Sequence, residues 1–468
     1  LSKSNDQAAG FTLFAFAWAM AGLFHQLSFE GWRWYDFKGI ILTAAILSVL
    51  FKPSSWKRFA VLITVDLLVI TWTFPYHPNH IVFSWVVNGT ILASLLLAGR
   101  QHSFSGDIAS EWYRAFAPWI RIELCVLYFF TVFHKLNTSY FTIDWSCAAQ
   151  MHREISAWMP LLPDQIWAQN LAIYGTLIIE TAIPVMLFFG RTRVAGVVLG
   201  MIFHGLLALH PHAGLFSFSA TMTALFTAFI PLATSSSLRP NETYLRLWKW
   251  VLYFFSVFYS FWILRHLLPA GFSMEAQLRS IKKVGFLAYY IYLGVGLFLF
   301  IRSVKTKPSE VQDRFEGRGM NYALLLALPL LLIVNGFGPY FGLRTQTSFS
   351  MFSNLHTENG MTNHLIMPSG IQITNWQYDL VEILDSNHPD LIKIRDSNLL
   401  LVYLDLRRER TIAAPDFWVT YRRNGKIETF DSKRPETHRT LPSLGLLARR
   451  YFFFRPVERD PITVRCKH

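Results

Sequence analysis

The chain has 468 residues, of which 52% are hydrophobic, 16% aromatic and only 16% charged. An average soluble domain is about a quarter charged, so a water-soluble enzyme is excluded, and the apolar content excludes a disordered chain. The net charge of +13 does not indicate nucleic acid, because no nucleic-acid motif accompanies it and basic residues flanking apolar spans are what membrane orientation requires.

In chain order, apolar stretches fall at 11–28, 38–51, 59–74, 81–99 and 117–136, and then at 171–189, 194–209, 214–232, 245–268, 285–302 and 321–338. A crossing helix needs roughly 20 apolar residues, so 38–51 and 59–74 are short. Breaks such as Lys52-Pro53-Ser54-Ser55 and Gly190-Arg191-Thr192-Arg193 separate them. The pattern predicts an all-α polytopic membrane bundle over 1–338, with about 9–11 transmembrane helices. Lys and Arg gather on one side of it, with Lys52, Lys57, Arg58, Arg100, Arg114, Arg191 and Arg193 among them. That side is cytoplasmic by the positive-inside rule. A multi-pass protein of a cell inner membrane follows, with 136–170 and everything after 338 on the outer side. Leu1 in place of Met predicts a trimmed start, and no cleavable signal with an A-x-A end is read.

After residue 338 the charges become dense and short alternating runs appear at 378–384, 391–395, 399–405, 416–422 and 426–430. These predict a small β-rich extracytoplasmic domain over 339–468, with a type I′ hairpin turn at Asn424-Gly425. Cys125, Cys147 and Cys466 are far apart and lack CxxC or zinc spacing, so neither a disulfide framework nor a metal site is expected. His210 and His212, two apart around Pro211, are a weak metal pair for want of a third ligand.

Ionisable residues inside apolar spans are functional candidates, because each is costly to bury. They are Asp66, Arg121, Glu123, His134, Lys135, Glu180 and His204. Asp66 is expected to pair with a basic group on another helix. Arg121, Tyr128 and Lys135 recur at sevens, so they share one stripe of a helix, with His134 pointing elsewhere. Arg121 and Lys135 read either as snorkelling anchors or as site residues. A lysine withdrawn from water loses proton affinity and can serve as a general base. Glu180 precedes Pro184 by four residues, where the missing N–H frees a carbonyl. His204 reads as a hydrogen-bonded helix tie or a ligand.

At these residues the chain resembles the vitamin K-dependent γ-glutamyl carboxylase family within the wider HTTM membrane domain, over roughly 75–232. The resemblance is carried by Asn79-His80, Arg121, Tyr128, His134-Lys135-Leu136, the Gly190–Arg193 turn, Phe203-His204 and Phe216-Ser217. It implies Lys135 as the base and His80 as a supporting catalytic residue. Arg121, Tyr128 and His204 fall to the cofactor, and His134, Glu180 and Met351 to the substrate side. The implied cofactor is reduced vitamin K or another reduced quinone, with carbon dioxide and oxygen as co-substrates. The implied partners are membrane lipid and a periplasmic or secreted peptide or protein whose glutamate is carboxylated. The chain departs from the family where His134 replaces the first of two adjacent lysines. It departs again at Ser348–Leu355, which keeps the Met of a Trp-Asp-Met-Met stretch without the Trp-Asp, and its compact tail looks like short bacterial HTTM proteins. Other quinol- or lipid-linked chemistry, or a non-enzymatic membrane scaffold or transporter, are the alternatives.

Overall fold

The computed structural model describes residues 2–28, 36–101, 107–230, 249–250, 253, 256–257, 274–304, 322–459 and 466. The helices are α1 (Ser2–Ser28), α2 (Phe37–Phe51), α3 (Trp56–Thr73), α4 (Asn79–Gln101), α5 (Ile108–Phe133), α6 (Thr138–Phe141), α7 (Cys147–Ser156), α8 (Ile166–Phe188), α9 (Arg193–Leu207) and α10 (Ala213–Phe226). They continue with α11 (Met274–Val304) and α12 (Tyr322–Phe337), and α13 (Pro389–Asp396), α14 (Tyr403–Ile412) and α15 (Leu446–Tyr451) lie among five strands. Each apolar stretch read from the sequence coincides with a helix, except 245–268, which lies largely outside the described residues.

Five helical segments are long and apolar enough to cross a membrane: Gln7–Ser28, Asn79–Leu97, Ile108–Phe133, Ile166–Phe188 and Gly285–Ser303. Phe37–Phe51, Arg193–Leu207, Gly214–Phe229 and Leu325–Phe337 are shorter apolar helices. Side-chain exposure shows what the long helices face. On α8 the exposed residues Trp167, Leu171, Tyr174, Ile178 and Val185 recur at helical spacing, and on α11 so do Leu287, Ile291, Val295 and Phe298. Such apolar stripes suit lipid, not water. Pro118, Pro184 and Pro329 sit inside α5, α8 and α12, which membrane helices tolerate.

The chain divides into two compact units. The first comprises 1–72, 80–126 and 181–330. In it α1 packs against α2, α10 and α11, and α9 against α10. Phe11, Phe14, Phe59, Trp112 and Phe116 form an aromatic core with edge-on and tilted ring contacts. A Cβ at Gly200 would overlap the Phe226 ring, so glycine there sets how closely α9 and α10 approach.

The second unit comprises 73–79, 127–180 and 331–468. It therefore takes in the segment between α5 and α8 as well as the C-terminal region that composition delimits at 339. Its sheet is antiparallel, in the order β4-β3-β1-β2-β5, with β1 at Leu380–Ser386, β2 at Leu399–Val402, β3 at Trp418–Arg423, β4 at Lys426–Asp431 and β5 at Val457–Glu458. The β3–β4 hairpin turns at Asn424 (φ 49°) and Gly425 (φ 76°), with Arg423 opposite Lys426. This is the two-residue turn expected, with both central residues left-handed.

Two strand expectations are corrected. Residues 391–395 form part of α13, because Pro389 starts a helix without needing its N–H and Leu391 and Ile394 meet the core at helical spacing. The run 399–405 is strand only to Val402, after which α14 begins. The expected absence of disulfide pairing is also overturned. Cys147 and Cys466 are joined, with their Cα atoms 4.8 Å apart across a sequence separation of 319. Spacing along the chain could not report that proximity.

Candidate functional site

Helix α5 ends at Phe133, and the chain then tightens, with His134 N–H bonding the Phe130 carbonyl and Lys135 N–H the Val132 carbonyl. Lys135 therefore lies in the turn beyond the helix, and the stripe expected to run through it stops with Arg121 and Tyr128. Its amine, buried, is ion-paired with the carboxylate of Glu180 on α8. Glu180 lies on the face of α8 opposite the exposed apolar stripe. Two residues singled out separately are thus brought together. Tyr140 is fully buried beside them, and burial, with Glu180's charge adding, holds its phenol well above its ordinary pKa.

The turn carrying Lys135 is clamped. The Asn137 side-chain oxygen caps α6 by accepting from Tyr140 N–H at 2.9 Å. Its amide donates to the His134 carbonyl at 2.8 Å and to the Ser353 carbonyl at 2.6 Å. On the other side, Leu365 N–H donates to the Leu136 carbonyl and Thr138 N–H to the Asn363 carbonyl. His134 is buried, with Nε2 2.9 Å from the Gly336 carbonyl, and its ring meets Phe130 and Tyr340. It therefore serves as a tie to the end of α12.

Below the turn runs a buried loop, 345–357. Thr347, Phe349, Phe352 and Asn354 all have φ between 56° and 64°, the left-handed region, which is costly for bulky side chains. Its surroundings hold it there. Phe349 N–H donates to Asn79 at 2.6 Å, Asn335 donates to the Thr347 carbonyl at 2.9 Å, and the half-buried Arg455 donates to the Leu355 carbonyl at 2.7 Å. Asn354 accepts from Cys147 N–H at 2.7 Å and donates to the Trp145 carbonyl at 2.8 Å. Met351 is half-buried in this loop. Only Asn79 and Met351 among these stand out in the sequence. Asn137 carries no signal beyond being an amide just past a helix, and Asn354 and Asn363, in irregular chain, carry none from spacing.

The other predicted site residues belong to the first unit, apart from Tyr128, which is buried in the second. His80 Nε2 lies 2.9 Å from Ser217 Oγ. His204 and His80 both lie against the Phe218 ring. Arg121 donates to the Ala228 carbonyl at 2.8 Å and lies over the Phe229 ring, so it satisfies a carbonyl at the end of a helix. Asp66 accepts from the Asn88 amide at 2.7 Å, a neutral partner in place of the cation expected. Glu123 accepts from the Thr90 hydroxyl. His210 and His212 each accept a backbone N–H, and the His212 bond caps α10. Among the described residues no three candidate metal ligands converge.

Five long apolar helices followed by a five-stranded antiparallel sheet region define a multi-pass membrane protein. The chain matches no protein-family model, curated protein or solved structure.

Proposed function

We propose that this is a membrane enzyme of the carboxylase-like type, acting on a glutamate of a secreted or periplasmic peptide at the expense of a reduced quinone, with carbon dioxide and oxygen as co-substrates. The observation that carries the reading is the buried Lys135–Glu180 pair at the end of a membrane helix. Proton exchange between amine and carboxylate leaves the pair's net charge unchanged. A free amine can therefore form there without placing an uncompensated charge in an apolar setting. The chemistry of the pair suits a lipophilic phenol: the amine and carboxylate offer proton acceptors, and the aromatic residues Phe130, Phe349 and Tyr340 belong to the same unit. A reduced quinone, when bound, supplies an acidic hydroxyl and two electrons. Lys135 and Glu180 take up the hydroxyl proton, and Asn137 and the 363–365 bridge hold them in place while they do so.

The disulfide supports the orientation. Such bonds persist in oxidising compartments, and Cys147 and Cys466 must lie on one side of the membrane. The proposed setting is a cell inner membrane with the segment around α7 and the sheet region outside, where the half-buried Met351, set in the largely buried 345–357 loop, can meet a peptide.

The test is mass spectrometry of secreted proteins co-expressed with the full chain, read for γ-carboxyglutamate, with Lys135→Ala as control. The modification is expected with the native chain and absent with the variant. Equal modification in both overturns Lys135 as base. Quinol binding with no modification of any peptide transfers the site to other quinol- or lipid-linked chemistry.

A further inference from the structure

A second buried polar system lies in the first unit and plays no part in the reading above. Ser217 Oγ, at the start of α10, is 2.6 Å from His25 Nδ1 on α1 and 2.9 Å from His80 Nε2 on α4. All three side chains are buried. A hydroxyl has one proton to donate. When both contacts are hydrogen bonds, Ser217 donates to one imidazole and accepts from the other, so of the two facing nitrogens one carries a proton and one does not. The two arrangements differ only in where the protons sit.

His25 also lines a cavity of about 30 Å³ together with Trp18, Asp66 and Ser84. That is room for water, which needs roughly 10–15 Å³ by this measure. Asp66 is held at the cavity through Oδ2, which accepts from Asn88, whose own oxygen accepts from Trp18 Nε1 at 3.1 Å.

We propose that Asp66, cavity water, His25, Ser217 and His80 form a proton relay through the helices of the first unit. A proton passes from the Asp66 side to His25 Nε2. The Nδ1 proton moves to Ser217 Oγ, and the serine's original proton moves to His80 Nε2. One proton enters and one arrives: His25 exchanges tautomer, the serine ends neutral, and His80, which already holds a proton on Nδ1, becomes an imidazolium and returns to neutral when its Nδ1 proton leaves. The step needs no oxidant or reductant, and it stands whether or not the carboxylase-like reading does.

The test follows exchange of the His80 ring N–H into deuterated water, by magnetic resonance of the full-length protein in lipid bilayers with ¹⁵N-labelled histidine. Ser217→Ala is expected to slow the exchange roughly tenfold or more, since losing one hydrogen-bonded link raises the barrier by at least that bond's worth. Ser217→Thr, which keeps the hydroxyl, is expected to stay near the native rate. Backbone amide protection of α1, α4 and α10 serves as the folding control. Unchanged His80 exchange in Ser217→Ala with protection intact overturns the relay. Should Ser217→Ala lose protection, Asp66→Asn decides: slowed exchange supports the relay, and a native rate overturns it.

Discussion

The side-chain amide of Asn137 donates to the Ser353 carbonyl at 2.6 Å, joining stretches 216 residues apart. The same side chain closes the turn after α5 and caps α6. One fully buried residue therefore positions both the lysine turn and the left-handed loop. Asn137→Ala is expected to destabilise the second unit by about 2–4 kcal/mol, from a lost cap and two buried carbonyls without a donor. The measurement is thermal or denaturant unfolding of the purified protein, with hydrogen exchange mapped over 345–357. Unaltered protection in that loop would refute the linkage.

Lys135 and Glu180 invite a double-mutant cycle. Removing one partner of a buried pair leaves an uncompensated charge, at a cost of about 3–5 kcal/mol. Lys135→Met alone and Glu180→Leu alone should each destabilise on that scale, whereas the double variant should approach native stability. Unfolding midpoints of the four proteins give the coupling. Additive losses would mean that the two side chains do not act as a pair.

What the sequence reveals and what it hides follow from the range of the interactions. Apolar runs and the Asn424-Gly425 turn are local, and the helices and hairpin were legible from them. Lys135 and Glu180 each stand out as ionisable residues in apolar surroundings, but their pairing depends on how α8 packs, which no spacing encodes. The left-handed Phe349 and Phe352 are invisible because phenylalanine does not favour that region. Only the side chains fastening the loop keep them there. Residues 391–395 alternate like a strand yet fold as a helix, since Pro389 and the core positions of Leu391 and Ile394 outweigh the alternation.

The disulfide makes a prediction about thiol chemistry. Cys125 is the free cysteine, so alkylation of the unfolded, unreduced protein should modify Cys125 alone, and reduction should add Cys147 and Cys466. Cys466→Ser should lower stability by about 2–5 kcal/mol. It should also raise exchange near Asn354, which accepts from Cys147 N–H. Peptide mapping after alkylation gives the answer, and modification of all three cysteines without reductant would count against the bridge.

His364 should make the lysine turn sensitive to acid. Its Nδ1 accepts from the N–H groups of Ile366 at 3.1 Å and Met367 at 3.0 Å, and its Nε2 lies 2.8 Å from the Phe133 carbonyl. The ring is therefore neutral with its proton on Nε2. Burial holds its pKa below the ordinary 6.5, with the Phe133 bond opposing. Neighbouring Tyr340 stays neutral through this range, since burial raises its phenol. Because the folded value lies below the unfolded one, the unfolded chain binds the proton first as pH falls. The stability that His364 contributes is full above pH 6.5 and is lost on acidification below it. Hydrogen exchange over 133–139 and 354–367, corrected for intrinsic rates, should show easier opening near pH 5 than near pH 8. In His364→Gln, which cannot take up the proton, that difference should shrink. Equal opening free energies at the two pH values in the native protein would rule out His364 as the acid-sensitive clasp.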